Sequence, residues 1–216
     1  MRLSIVLCLL LPLPVLAEPN LGCSELKHFA ALGWLSGDRE TNRSMDLARE
    51  TLCSGNVVEG APLFYPNGQV LSESVNKPGT PLYYDNGRLI MGYLGEGWTP
   101  WYYPDGSVIS SAGGEYGARW FYPNGAFACA AAQLPGNKWF YPDGALLTSS
   151  SGTVGAWYYR NGRLISPTFG LEGSTWYRED GSVLRVDGPA LTASQLWLPV
   201  SLLRELALVD PQQPKP

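Results

Sequence analysis

Glu115-Tyr-Gly-Ala-Arg-Trp-Phe-Tyr-Pro-Asn-Gly125 contains the unit on which the reading of this chain turns. Its last six residues recur. Aligned on the final glycine, seven segments superpose: Leu63-Phe-Tyr-Pro-Asn-Gly68, Leu82-Tyr-Tyr-Asp-Asn-Gly87, Trp101-Tyr-Tyr-Pro-Asp-Gly106, Trp120-Phe-Tyr-Pro-Asn-Gly125, Trp139-Phe-Tyr-Pro-Asp-Gly144, Trp157-Tyr-Tyr-Arg-Asn-Gly162 and Trp176-Tyr-Arg-Glu-Asp-Gly181. Successive glycines are 19, 19, 19, 19, 18 and 19 residues apart. A fixed period of this kind marks a chain built by stacking one supersecondary unit on the next.

The unit has a mechanical reading. Proline holds φ near −65° and suits the first central position of a type I turn, Asn or Asp follows, and glycine takes the left-handed conformation that closes the turn with a bulge. Bulky residues flank the turn on both sides, as strands require. Across such a turn the residue four before the glycine faces the one two after it. Phe64 then pairs with Val70, Tyr83 with Leu89, Tyr102 with Val108 and Phe121 with Phe127. This face is wholly apolar and is expected to be core. The opposite face carries Trp101, Trp120, Trp139, Trp157 and Trp176 together with Tyr84, Tyr103, Tyr122, Tyr141 and Tyr159. It reads either as a second core or as a contact surface, since interfaces favour Trp and Tyr.

The links between units hold further glycines, Gly79, Gly95, Gly97, Gly117, Gly136, Gly155 and Gly173, which fit a second turn per unit. The expected fold is therefore mainly β: an elongated antiparallel array of seven hairpins over 59–188. Its fourteen strands would run on the order of 65 Å if the sheet were flat. Residues 18–58 read as a helical hairpin. Ser24 is a candidate cap, and Leu26, Phe29, Ala30 and Trp34 follow helical spacing. Ser36-Gly37-Asp38 breaks the run, and Met45, Ala48 and Leu52 form the next stripe. His28, the one histidine, falls off the apolar stripe and reads as solvated. In 189–216, Thr192 with Gln195 resembles a capping box before an apolar run from Leu196 to Leu208, expected to be a helix covering the last hairpin. The tail from Pro211 to Pro216 reads as disordered.

Residues 1–17 read as a secretory signal. Arg2 starts it, Leu3 to Leu16 are its apolar stretch, and Ala17 ends it with a small residue. The stretch is too short to span about 30 Å of hydrocarbon, and no other segment is long and apolar enough. A periplasmic or secreted location follows, where disulfides persist. Cys23 and Cys53 bracket the helical segment and are expected to be bridged, worth about 3 kcal/mol by loop entropy. Cys129 is then left as a buried thiol or an intermolecular partner.

With 16% charged residues against 45% hydrophobic, the chain is not a charge-rich disordered one. A formal charge of −4 and the absence of a basic stripe argue against nucleic acid. One histidine and no CxxC spacing argue against a metal site. A catalytic triad would need His28, which stands in no motif. Asp105, Asp143 and Asp180 occupy turn positions where Asp replaces Asn, so the turn accounts for them. No phosphate-binding or dinucleotide fingerprint occurs. No enzyme, no cofactor and no metal are expected.

The unit Gly-x-x-Trp-Phe/Tyr-Tyr-x-Asn/Asp-Gly-x-Leu/Val resembles the MORN-variant repeat of bacterial exported proteins, often labelled antitoxin-like, over residues of about 60–186. The resemblance implies a curved antiparallel sheet used as a scaffold or protein-binding groove, and an immunity-type role. Trp-Tyr-Tyr followed by Asp-Gly also resembles choline- and glucan-binding repeats, which implies a Trp/Tyr ladder stacking on sugar rings. The two functional expectations are thus a protein partner held on the aromatic face and, alternatively, an envelope glycan.

Overall fold

The structure is a computed structural model. It describes residues 20–191 apart from 55–56, 95–97, 114, 116 and 131–134. The signal expected at 1–17 and the helix and tail expected within 192–216 lie outside the described residues.

Two helices come first, α1 (Cys23–Ser36) and α2 (Arg39–Leu52). α1 starts behind Gly22, whose φ of 88° is the left-handed conformation that glycine tolerates. The cap is therefore not Ser24, which lies one residue inside the helix. Cys23 and Cys53 are joined by a disulfide that ties the start of α1 to the end of α2. Leu26, Phe29, Ala30 and Trp34 are buried, as are Met45, Ala48 and Leu52. Gly37 ends α1 in the left-handed conformation, and Asp38 caps α2 by accepting from the N–H groups of Glu40 and Thr41. Hydrogen bonding from Thr41 holds the Asp38 carboxyl below its ordinary pKa.

The described residues then form fourteen strands in seven antiparallel hairpins. They are β1 (Leu63–Phe64) with β2 (Val70–Ser72), β3 (Leu82–Tyr83) with β4 (Leu89–Met91), β5 (Trp101–Tyr102) with β6 (Val108–Ser110), and β7 (Arg119–Phe121) with β8 (Phe127–Ala130). β9 (Asn137–Phe140) pairs with β10 (Leu146–Ser151), β11 (Gly155–Tyr158) with β12 (Leu164–Phe169), and β13 (Ser174–Tyr177) with β14 (Val183–Gly188). The turn works as its chemistry predicts. In the first hairpin Gly68 N–H donates to Tyr65 O and Tyr65 N–H to Gln69 O, and the same two bonds recur in the other six. The seven turn glycines have φ between 78° and 90°. Of the second-turn glycines, Gly79, Gly117, Gly136 and Gly173 have positive φ. Gly155 does not. It lies in β11, and Gly152 takes the left-handed position in that link.

Strands follow one another in chain order, but not in the single ribbon expected. The ladder runs β1 to β6, breaks, runs β7 to β12, breaks again, and ends with β13–β14. The reason lies in how little backbone joins one hairpin to the next. Within the ladders each junction is a single residue pair, such as Ser72 with Leu82 or Cys129 with Trp139, and at the two breaks no pair forms. Side chains carry the rest of the stitching.

Register decides which residues share a face. In every hairpin the residue four before the glycine pairs with the one two after it, and the residue five before pairs with the one four after it: Phe121 with Phe127, but Trp120 with Cys129. The third residue after the glycine is the extra one, a bulge. It therefore turns to the same side as the fourth. Leu71, Ile90, Ile109, Ala128, Leu147 and Ile165 are all fully buried.

The face expected to be core is the open one, and the tryptophan face is the second core, one of its two readings. Trp101, Trp120, Trp139, Trp157 and Trp176 are buried, and so are Tyr84, Tyr103, Tyr122, Tyr141 and Tyr159. The rows expected as core are half-buried or exposed, with Phe64 at 50%. Two causes act together. α1 packs on the tryptophan side, where Phe29 meets the rings of Trp101 (4.8 Å between centroids) and Trp120 (6.3 Å). The indoles also pack on one another, Trp101 on Trp120 and Trp120 on Trp139, edge to face. Trp is the larger apolar surface to withdraw from water. His28 is likewise not simply solvated: it is half-buried, with its ring edge against Trp120 at 5.4 Å.

Candidate functional site

The inner face is a stitched core, and the buried tyrosines are its stitches. Each hydroxyl donates to the carbonyl four before the glycine of the next unit. Tyr65 reaches Tyr83 O, Tyr84 reaches Tyr102 O, Tyr103 reaches Phe121 O, Tyr122 reaches Phe140 O, Tyr141 reaches Tyr158 O and Tyr159 reaches Tyr177 O, all at 2.8–2.9 Å. Two of these bonds, from Tyr103 and Tyr159, cross the breaks in the backbone ladder. Burial pushes the hydroxyls of Tyr84, Tyr103 and Tyr122 well above the usual tyrosine range, so they remain protonated donors. The seventh unit has Arg178 in the tyrosine position, and that side chain donates to Val183 O within its own hairpin. Arg185 lies over the Trp176 ring at 5.2 Å.

This bonding makes a clean prediction. Tyr103→Phe removes a buried donor and leaves the Phe121 carbonyl unpaired, which costs about 1–3 kcal/mol. Tyr102→Phe, on the outer face next to it, should change stability by no more than about 0.5 kcal/mol. Urea unfolding of both variants compares them. Equal losses would mean the hydroxyl ladder contributes nothing.

The turn acids also have their explanation. In all seven units the Asn or Asp before the glycine accepts the backbone N–H two residues on. Either residue type supplies that acceptor. Partial burial pushes the Asp143 carboxyl up, but the Arg160 side chain and the Ala145 N–H together hold it below its ordinary value. Ser182 bonding lowers Asp180. Asp85 replaces the turn proline for a different reason: it docks α2, accepting from Ser44 Oγ at 2.8 Å and pairing with Arg43 at 3.2 Å. Among the described residues no three His, Cys, Asp or Glu side chains gather to hold a metal ion, and no helix is long and apolar enough to cross a membrane.

Cys129 stands at the position that Ser72, Ser110, Thr148 and Ser166 fill in other units. It is fully buried between Trp120 and Trp139. It packs as a small core residue, the buried-thiol reading of the two, and burial pushes its thiol pKa up.

The outer face is the candidate surface. Seven cross-strand pairs run along it: Phe64 with Val70, Tyr83 with Leu89, Tyr102 with Val108, Phe121 with Phe127, Phe140 with Leu146, Tyr158 with Leu164 and Tyr177 with Val183. Every pair joins an aromatic ring to an apolar side chain, and none is buried. The rings of Phe121 and Phe127 lie 6.0 Å apart, and those of Phe127 and Phe140 5.8 Å apart. Scattered exposed apolar residues need no explanation, but a continuous row does. The ten Trp and Tyr residues expected to make contacts are brought together by the fold, but as core, so their reach to a partner or a sugar is closed. The outer row is visible in the sequence, but its lack of polar residues points to the interior. Trp98 is a separate case. It is 74% exposed at a φ of 70°, in the link between β4 and β5. No protein-family model matches the chain, and no curated protein matches it.

Proposed function

We propose that this chain is an exported, non-enzymatic scaffold that holds a protein partner along the outer row of its hairpins. The observation that carries the proposal is that row: seven aromatic–apolar pairs, half-buried or exposed, on sheets whose other face is largely buried. Interfaces are enriched in such aromatic side chains, while lone exposed ones are ordinary. The resemblance to MORN-variant arrays favours the same reading, with seven units over 59–188 and the helical pair packed against their tryptophan side. The Cys23–Cys53 disulfide fits an oxidising compartment, in keeping with the signal-like start. An immunity-type role rests on the resemblance alone. The glycan alternative loses its basis, because the Trp ladder that would stack on sugars is buried.

A photo-crosslinking amino acid placed at Phe64, Tyr102, Phe127 or Tyr177 tests this in the native cell. One adduct of constant mass is expected from these four positions and not from Asn124 or Asn161 at the turns. Adducts from the turns alone, or none from the row, would dispose of the proposal.

A further inference from the structure

Only four charged residues stand in the fourteen strands: Arg119, Lys138, Arg185 and Asp187. Arg185 and Asp187 pair with each other at 3.3 Å. Arg119 and Lys138 are exposed and have no ion-pair partner among the described residues. Their placement is specific. Arg119 is two residues from Phe121 on β7, and Lys138 is two from Phe140 on β9, so each cation shares the outer face with a ring of the row. β8 lies between them, with Phe127 beside both rings and Ala130 opposite Arg119. The arrangement is two parallel lines: Phe121, Phe127 and Phe140 in one, and Arg119, Ala130 and Lys138 in the other. The small Ala130 leaves low ground between two long cations whose strands are about 10 Å apart.

No acidic residue occurs in any strand from β5 to β12. The other units place Pro62, Pro81, Pro100, Ala156 and Thr175 where these two place Arg119 and Lys138. The cations thus sit together beside the most phenylalanine-rich part of the row. A second copy of the chain docked centre to centre would bring like charges together, which disfavours self-association here. The whole chain is formally −4, so its overall field repels nucleic acid and anionic membranes. A local pair of cations inside a net-negative molecule suits short-range pairing with a few carboxylates.

We propose that the patch Arg119, Phe121, Phe127, Lys138 and Phe140 is the anchor of the interaction surface, and that it takes a protein segment in which acidic side chains stand beside apolar ones. This rests on the outer-row reading above and adds the chemistry of the partner. The apolar side chains lie on the three rings, and the carboxylates straddle Ala130 between the two cations.

The test is a random-peptide display library panned on the folded full-length chain. Enriched peptides should carry Asp or Glu within a few positions of an aliphatic or aromatic residue. R119E/K138E should weaken a representative peptide at least 10-fold and shift enrichment toward Lys and Arg. R119Q/K138Q should weaken it without that reversal. All four substitutions are at exposed positions, and far-UV circular dichroism verifies their folding. Enriched peptides with no acidic bias, or undiminished binding to R119E/K138E, overturn the charge inference. In that case loss of binding in F121S/F127S leaves the outer-row reading standing, and undiminished binding there removes both. A library that yields no binder also removes both. Flotation with phosphatidylglycerol vesicles that depends on Arg119 and Lys138 would assign the patch to a membrane and overturn the proposal.

Discussion

Trp120→Ala should lower the unfolding free energy by about 3–5 kcal/mol, the range for emptying a large aromatic site in a core. The indole is buried against Trp101, Trp139, Phe29 and His28. Its loss removes contacts on both neighbouring units and on α1 at once. Phe121→Ala, at the adjacent residue, should cost roughly 1 kcal/mol, since that ring is half-buried on the outer side, beside Phe127. The pair of variants measures which side of the sheet is interior. Urea unfolding followed by circular dichroism and by tryptophan fluorescence gives both values. A larger loss for Phe121→Ala than for Trp120→Ala would turn the molecule inside out relative to the description above. Repeat arrays can lose cooperativity, so coincidence of the two probes is part of the measurement.

Replacing both Cys23 and Cys53 by Ser should cost about 3 kcal/mol, and reduction of the native chain should match it. The bridge joins the first residue of α1 to the residue capping α2, so it closes the whole helical pair. Its removal frees the unfolded chain and acts first on the helices. α2 is otherwise held to the sheet by its packing and by Arg43 and Ser44 on Asp85. The local consequence is specific. When α1 lifts away, Phe29 leaves Trp101 and Trp120, and those indoles meet water. Tryptophan emission should therefore shift to the red in denaturant before the β signal falls. A double-Ser variant as stable as the native chain would show that the helices owe their place to packing alone.

Much of this architecture could be read along the chain because its causes are local. Asn/Asp-Gly, preceded by Pro in four of the seven units, carries its turn with it, and the turn alone sets the pairing of Phe121 with Phe127 and its six equivalents. Leu26, Phe29 and Ala30 lie within helical reach of one another, and Ser36-Gly37-Asp38 ends their run wherever the helix docks. The failures have non-local causes. Ser24 is a good cap by type, but Gly22 and the bridge at Cys23 begin the helix earlier. Gly155 looks like its neighbours in the links, yet Gly152 makes that turn.

The larger failure concerns the faces. Alternation and the bulge show which residues stand together on one side of a sheet, and they are silent on which side is covered. Both sides carry aromatic rings, so polarity was a poor guide. The choice was made by contacts between residues far apart in sequence: Phe29 on Trp101 and Trp120, and each tyrosine hydroxyl on a carbonyl one unit further along. Those acceptors exist only once the units are stacked. Period, turns, pairing and helices were thus legible in the residues themselves, whereas inside and outside, and with them the open row beside Arg119 and Lys138, were settled by tertiary packing.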